Sequence, residues 1–211
     1  MSLIFDWIFS QYAAMPTHLL VLEIIGVVFG FLSVWYAKEE KIWVFPTGII
    51  STVIFVYILW IYGLLGDMLI NAYYTTMSVY GWWMWSRKSS DNESLPITTA
   101  SRKEWLWSAL VFAVTVLFIA GVYSVYGKWN EPTAYVDTLT TAIFFVGMWF
   151  MAKKKLENWL FWIAGDIISV PLYAYKGLMF TSLQYLLFTV IAYYGYREWR
   201  RRLHNTSLKA L

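Results

Sequence analysis

Asn158-Trp159-Leu160-Phe161-Trp162-Ile163-Ala164-Gly165-Asp166-Ile167-Ile168-Ser169-Val170-Pro171-Leu172-Tyr173 is apolar enough to enter a bilayer, yet it carries a carboxylate at its middle. Wound as a helix of about 100° per residue, it places Trp159, Trp162, Asp166, Ser169 and Tyr173 on one stripe about 80° wide. A carboxylate at membrane depth costs roughly 2.5–3.5 kcal/mol on insertion scales, so this stripe must face protein or a water-filled cavity. Flat aromatic faces beside a fixed negative charge suit a flat, cationic ligand. The competing reading is structural: the tryptophans pack a helix interface, and Asp166 caps or pairs with a neighbour.

The rest of the chain extends the membrane reading. Of its 211 residues 60% are hydrophobic, 21% aromatic and only 14% charged, against about 25% charged in soluble domains. Runs of about 20 apolar residues, the length a bilayer requires, fall at 19–37, 42–62, 66–86, 104–126, 132–152, 156–175 and 178–198. Trp and Tyr gather near their ends, including Trp35, Trp43, Trp82, Trp83, Trp85, Trp105, Trp107, Trp129, Trp149 and Trp199, as an interfacial belt predicts. Residues 1–18 read as an interfacial segment, with no basic residue of a signal peptide before Lys38. Fourteen of the 16 basic residues fall in the loops after spans one, three and five and in the tail. The positive-inside rule therefore puts the N-terminus outside and the C-terminus in the cytoplasm.

An internal repeat organises the spans. Gly63-Leu64, Gly81 and Trp85 recur 114 positions later as Gly177-Leu178, Gly195 and Trp199, while Gly30 and Gly48 recur 117 later as Gly147 and Gly165. Three spans reverse the side of the membrane and a fourth restores it, so the copies become parallel, with the substrate site expected at midplane between them. The expected layout is a three-helix repeat over 19–86, a cytoplasmic linker at 87–103, a linker helix and loop over 104–131, a second repeat over 132–199 and a basic cytoplasmic tail at 200–211. In span three, Asp67, Asn71, Tyr74, Ser78 and Trp82 share a polar stripe. Its copy in span seven reads Thr181, Tyr185, Phe188, Ala192 and Tyr196, so a cavity between these faces is asymmetric. The Gly26-x-x-x-Gly30 spacing reads as close helix packing. Pro171 removes an internal N–H near Asp166 and marks a candidate hinge.

Other classes are disfavoured. No cysteine and only His18 and His204 leave no ligand set for a metal hydrolase. No lysine stands in the seventh span for a Schiff base, and no P-loop or nucleophile elbow is present. The basic run Arg197-Glu198-Trp199-Arg200-Arg201-Arg202 meets anionic headgroups sooner than nucleic acid.

Asn158-Trp159-x-x-Trp162 with Asp166 four residues on, then Ser169-x-Pro171-Leu172-Tyr173, and Tyr80-Gly-Trp-Trp-Met-Trp85 closing span three, resemble the PnuC family of vitamin transporters across nearly the whole chain. The resemblance implies an all-α membrane protein of seven transmembrane helices in a 3+1+3 arrangement like that of SWEET sugar transporters. It also implies a homotrimer in the bacterial inner membrane and nicotinamide riboside uptake by facilitated diffusion, with a cytoplasmic kinase trapping the riboside by phosphorylation. One departure stands out: where many members carry Gln four residues after the Asp that opens span three, this chain has Asn71 after Asp67. Relatives of the same fold carry thiamine or riboflavin, and thiamine is also cationic and aromatic, so the vitamin stays open between them.

The expectation is a transporter, not an enzyme, with no cofactor, metal or nucleic-acid partner. Trp159 and Trp162 stack on the heterocycle and Asp166 sets the field. Asn71 and Tyr74 make polar contacts, Tyr185 and Phe188 close the opposite wall, and Asn158 and Tyr173 complete the site. The alternative from another class is a membrane receptor that binds without translocating. A large soluble sensing domain or long structured loops would mark it, and the longest loop here, about eighteen residues, offers neither.

Overall fold

The protein is described from a computed structural model, which covers residues 16–62, 65–87, 95–127, 129, 133–175 and 179–209. The segment 1–15, expected at the membrane interface, lies outside the described residues. Seven α-helices make up the described chain: α1 Thr17–Lys38, α2 Val44–Ile61, α3 Leu65–Ser86, α4 Arg102–Val125, α5 Thr133–Ala152, α6 Asn158–Tyr175 and α7 Met179–Lys209.

Four of these, α1, α2, α4 and α5, are long and apolar enough to cross a membrane. Seven were expected. Helices α3, α6 and α7 fall short because they spend successive turns on Asn, Asp, Thr, Tyr and Trp. Their outer faces remain apolar: Leu69, Leu160, Ile167, Leu183 and Val190 are exposed, as are Leu106 and Leu117 on α4. Helix α7 runs on to Lys209, well past the expected end of its span at 198. Its extension is tied down by Arg202, which bonds Glu198, the Glu39 carbonyl and Glu40.

Packing follows a ring. Each helix in the order α1, α2, α3, α5, α6, α7 packs on the next, α7 returns to α1, and α4 lies outside against α5. Glycines set the closest approaches. A Cβ on Gly81 would overlap the ring of Phe45, and one on Gly195 would lie 2.6 Å from the ring of Trp159.

Residues 114 apart behave alike. Phe45 meets Trp85 edge-on at 5.0 Å and 89°, and Trp159 meets Trp199 edge-on at 5.5 Å and 89°. Both helix-ending corners are Schellman turns: Lys41 N–H donates to Tyr36 O and Glu40 N–H to Ala37 O, as Lys155 does to Phe150 O and Lys154 to Met151 O. The left-handed residue of such a turn is usually glycine. Here it is Glu40 (φ 61°) and Lys154 (φ 56°), and the two form an ion pair of 2.7 Å.

These corners meet at one end of the ring, over an aromatic layer. Trp85 and Trp199 lie 5.9 Å apart there, and the Trp199 indole donates to Ala37 O. Both are buried, contrary to their expected place in the interfacial belt, because the edge-on pairs need them inside; Trp35, Trp43, Trp83 and Trp107 are exposed. The described part of the expected linker is no open loop. Thr98 bridges Lys155 in a parallel pairing, Ala100 N–H donates to Glu157, Lys154 donates to Leu95 O, and Ile97 is buried beneath the α5–α6 corner. A capping box between Ser101 and Glu104 then starts α4.

Candidate binding site

Above the aromatic layer the ring surrounds a partly open cavity of about 270 Å³, lined by residues of all six of its helices. Helix α6 contributes Trp159, Trp162 and Asp166 from successive turns of one face, the spacing read from the sequence. The stripe can face inward because the opposite sides of α6 are accommodated closely. Gly165 lets the ring of Phe144 sit against the backbone, where any Cβ would overlap it, and a Cβ on Gly147 would lie 3.4 Å from the Trp162 ring.

The two walls differ in chemistry. Helices α1 to α3 present small and hydroxylic groups: Gly26, Gly30, Ser33, Gly48, Ser51, Thr52, Asn71, Tyr74 and Ser78. Helices α5 to α7 present rings. Phe144 lies 5.6 Å from Trp162 and stacks on Tyr185 at 5.9 Å, and Phe188 meets Phe31 at 4.8 Å. Tyr74 crosses between them, 6.4 Å from Trp162. Among the described residues that line the cavity, Asp166 is the one ionisable acid or base other than tyrosine, and it is 3% exposed. No lysine or arginine is among them.

The sequence-predicted residues divide in two. Trp159, Trp162, Asp166, Asn71, Tyr74, Tyr185 and Phe188 all line the cavity. Asn158 does not: it is fully buried at the α5–α6 corner, where its amide donates to Lys155 O at 2.5 Å. Tyr173 does not either; it stacks behind Tyr185 at 5.1 Å and backs the wall. Trp159 and Trp162 also differ. Trp159 is 1% exposed, packed against Gly195 and Trp199 of α7, and forms the floor, whereas Trp162 is only partly buried. Asn71 is positioned by an N–H donated to Asp67 O at 2.9 Å.

Sequence reasoning missed Phe144, Gln184, Ser33, Ser51 and Thr52 as lining groups. For the serines the signal was present, since Ser33 lies one turn beyond the Gly26/Gly30 pair. The spacing of that pair favours packing over a lining role. Gly26 does pack, with Ile54 and Phe55 at 3.2 Å from a would-be Cβ, but Gly30 opens onto Ser51 Oγ.

A family profile described as nicotinamide mononucleotide transporter matches residues 20–201. The nicotinamide riboside transporter PnuC of Escherichia coli (strain K12) is 28% identical, over 90% of this chain and 89% of its own. The riboflavin/roseoflavin transporter RibM of Streptomyces davaonensis is 25% identical, over 98% of this chain and 97% of its own. Among solved structures, the crystal structure of the vitamin B3 transporter PnuC superimposes with a TM-score of 0.65 at 22% identity, covering 96% of this chain and 88% of that one.

Proposed function

We propose, from the premise that this chain belongs to the PnuC family of transporters, that it carries nicotinamide riboside across the membrane by facilitated diffusion. The observation that carries this reading is the cavity itself: one carboxylate, Asp166, among aromatic rings, with no basic lining residue among those described. A cationic, single-ring base finds a counter-charge and stacking faces there. The family profile is described for the mononucleotide, but the phosphate of that compound would face the Asp166 carboxylate with no lysine or arginine among the described lining residues, so the riboside is the better cargo. Trp162 stacks on the base, Trp159 is the floor, Asn71 and Tyr74 make polar contacts, and Tyr185 and Phe188 close the far wall.

The second reading is a flavin, supported by the similarity to RibM. Against it stand the modest volume, at the small end of ligand pockets, and the buried acid, which an uncharged tricycle does not need. Thiamine remains a third cargo to be tested.

Within this reading the chain is a 3+1+3 assembly of two parallel three-helix repeats, α1–α3 and α5–α7, joined through α4. The matched edge-on aromatic pairs and matched Schellman corners 114 residues apart support it. The basic corners and tail face the cytoplasm, the N-terminus lies outside, the protein assembles as a homotrimer, and a cytoplasmic kinase traps the riboside and pulls the flux inward.

The test is titration of purified protein with nicotinamide riboside, thiamine and riboflavin, followed by calorimetry, then uptake into liposomes. Saturable binding and uptake of the riboside are expected. Tight binding of riboflavin or thiamine alone would replace the cargo, and binding without uptake would make the protein a receptor.

A further inference from the structure

The polar groups on the α1–α2 wall of the cavity have their protons already committed. Ser33 Oγ donates to Val44 O at 2.7 Å, and Ser51 Oγ donates to Gly26 O at 2.8 Å. A carbonyl oxygen carries no proton, so each bond uses the single proton of its serine. What each serine oxygen has left is lone pairs. Thr52 is further spent, since it donates to Gly48 O and is covered by Thr75 Oγ1 at 2.7 Å.

The two serines are also seated in a reciprocal way. Ser33 on α1 faces Gly48 on α2, and Ser51 on α2 faces Gly30 on α1. A Cβ on either glycine would come within 3.0 Å of Ser33 Oγ or 3.1 Å of Ser51 Oγ. All four residues line the cavity, opposite the aromatic wall.

We infer that Ser33 and Ser51 form an acceptor-only cradle that fixes the sugar end of the ligand by receiving its hydroxyl protons, while the base lies against the aromatic wall. This rests on the riboside reading. It makes the two serines, with Gly30 and Gly48 leaving the room beside them that a methyl group would take, residues that determine specificity. A sugar hydroxyl must donate here, and a group that can only accept is rejected because it leaves two acceptors facing each other.

The experiment compares affinities of the wild-type protein for nicotinamide riboside, its 2′-deoxy and 3′-deoxy analogues, and the corresponding deoxy-fluoro analogues. Fluorine keeps much of the hydroxyl's size and polarity but cannot donate. One deoxy analogue is expected to bind about tenfold more weakly than the riboside, and its fluoro counterpart no better than the deoxy compound. Ser51→Ala or Ser33→Ala should lower riboside affinity by a similar factor and leave affinity for that deoxy analogue unchanged. Gly30→Ala, which covers Ser51 Oγ without removing its bond to Gly26, should act like Ser51→Ala.

A fluoro analogue binding as tightly as the riboside would overturn the inference, because the wall would then be donating. So would serine variants that weaken all ligands by one common factor. If the wild-type protein fails to bind the riboside at all, the reading beneath falls and takes the inference with it. The analogue series on unmodified protein keeps the question decidable should a variant misfold.

Discussion

Gly195 carries more consequence than its lack of a side chain suggests. A methyl there would stand 2.6 Å from the ring of Trp159, and that ring is the cavity floor, held edge-on by Trp199 one turn further along α7. Overpacking of this kind costs about 1–3 kcal/mol, and any shift of the Trp159 ring alters a wall of the cavity. Gly195→Ala should therefore lower the unfolding temperature in detergent and weaken riboside binding together. Gly121→Ala is the contrast: nothing lies within 4 Å of its would-be Cβ, so the gain in helix propensity, up to about 1 kcal/mol, should leave stability equal or higher. Trp162 differs from Trp159 in the same sense. It is part-exposed, and Gly147 lies at ordinary contact distance from its ring rather than gripping it, so Trp162→Ala should cost at least tenfold in riboside affinity, read by calorimetry, while changing the unfolding temperature little. Seven lining residues, among them Trp162, Asp166 and Asn71, were legible from periodicity, because a polar stripe on a lipid-facing helix has nowhere else to go. Asn158 and Tyr173 were not. One sits at a corner whose turn geometry decides its direction, and the other is screened by a ring from the next helix.

Elements tell a similar story about what spacing can and cannot carry. The helices were legible because each is a long apolar run, and α6 keeps its continuity through Pro171. The strap at 95–101 was not, since Leu95-Pro96-Ile97-Thr98-Thr99-Ala100 has no period and lies within a polar linker. Its order comes from partners some 57 residues away: Thr98 on Lys155 and Ala100 on Glu157. Those contacts depend on where the α5–α6 corner ends up in space, which no local pattern encodes. The strap also contributes to the core, for Ile97 is 7% exposed and packs in one cluster with Trp85, Met151, Leu156 and Trp199. Truncating a buried isoleucine costs about 2–5 kcal/mol. Ile97→Ala should therefore destabilise the protein as a core substitution does, in thermal unfolding followed by circular dichroism. A shift no larger than that of an exposed loop substitution would mean the strap is not part of the folded unit.

At the scale of the molecule, the matched corners bear on how a closed ring could open. Glu40 and Lys154 occupy equivalent left-handed positions, one in each half, and pair across the end of the ring at 2.7 Å. Lys154 is 3% exposed, its ammonium also donates to Leu95 O, and it lies 4.6 Å over the Trp85 ring. Glu40 in turn holds Arg202 of α7 at 3.0 Å. If the two halves rock against each other to expose the cavity at this end, the pair has to separate. Removing one member of a buried pair leaves the other uncompensated, a penalty of about 3–5 kcal/mol that falls on the closed arrangement in which Lys154 is buried. Glu40→Gln should accordingly shift the population toward an arrangement in which Lys154 reaches water. The chain contains no cysteine, so a single one at Met151, which lines the cavity beside the aromatic layer, reports that opening without interference. Its labelling by a water-soluble maleimide should be slow with Glu40 intact and several-fold faster in the Glu40→Gln background. Arg202→Gln, which spares the Glu40–Lys154 contact, should move the rate less. Equal rates in all three would place the resistance to opening in the aromatic layer of Trp85, Trp159 and Trp199, and leave the ion pair only the task of holding two strained corners together.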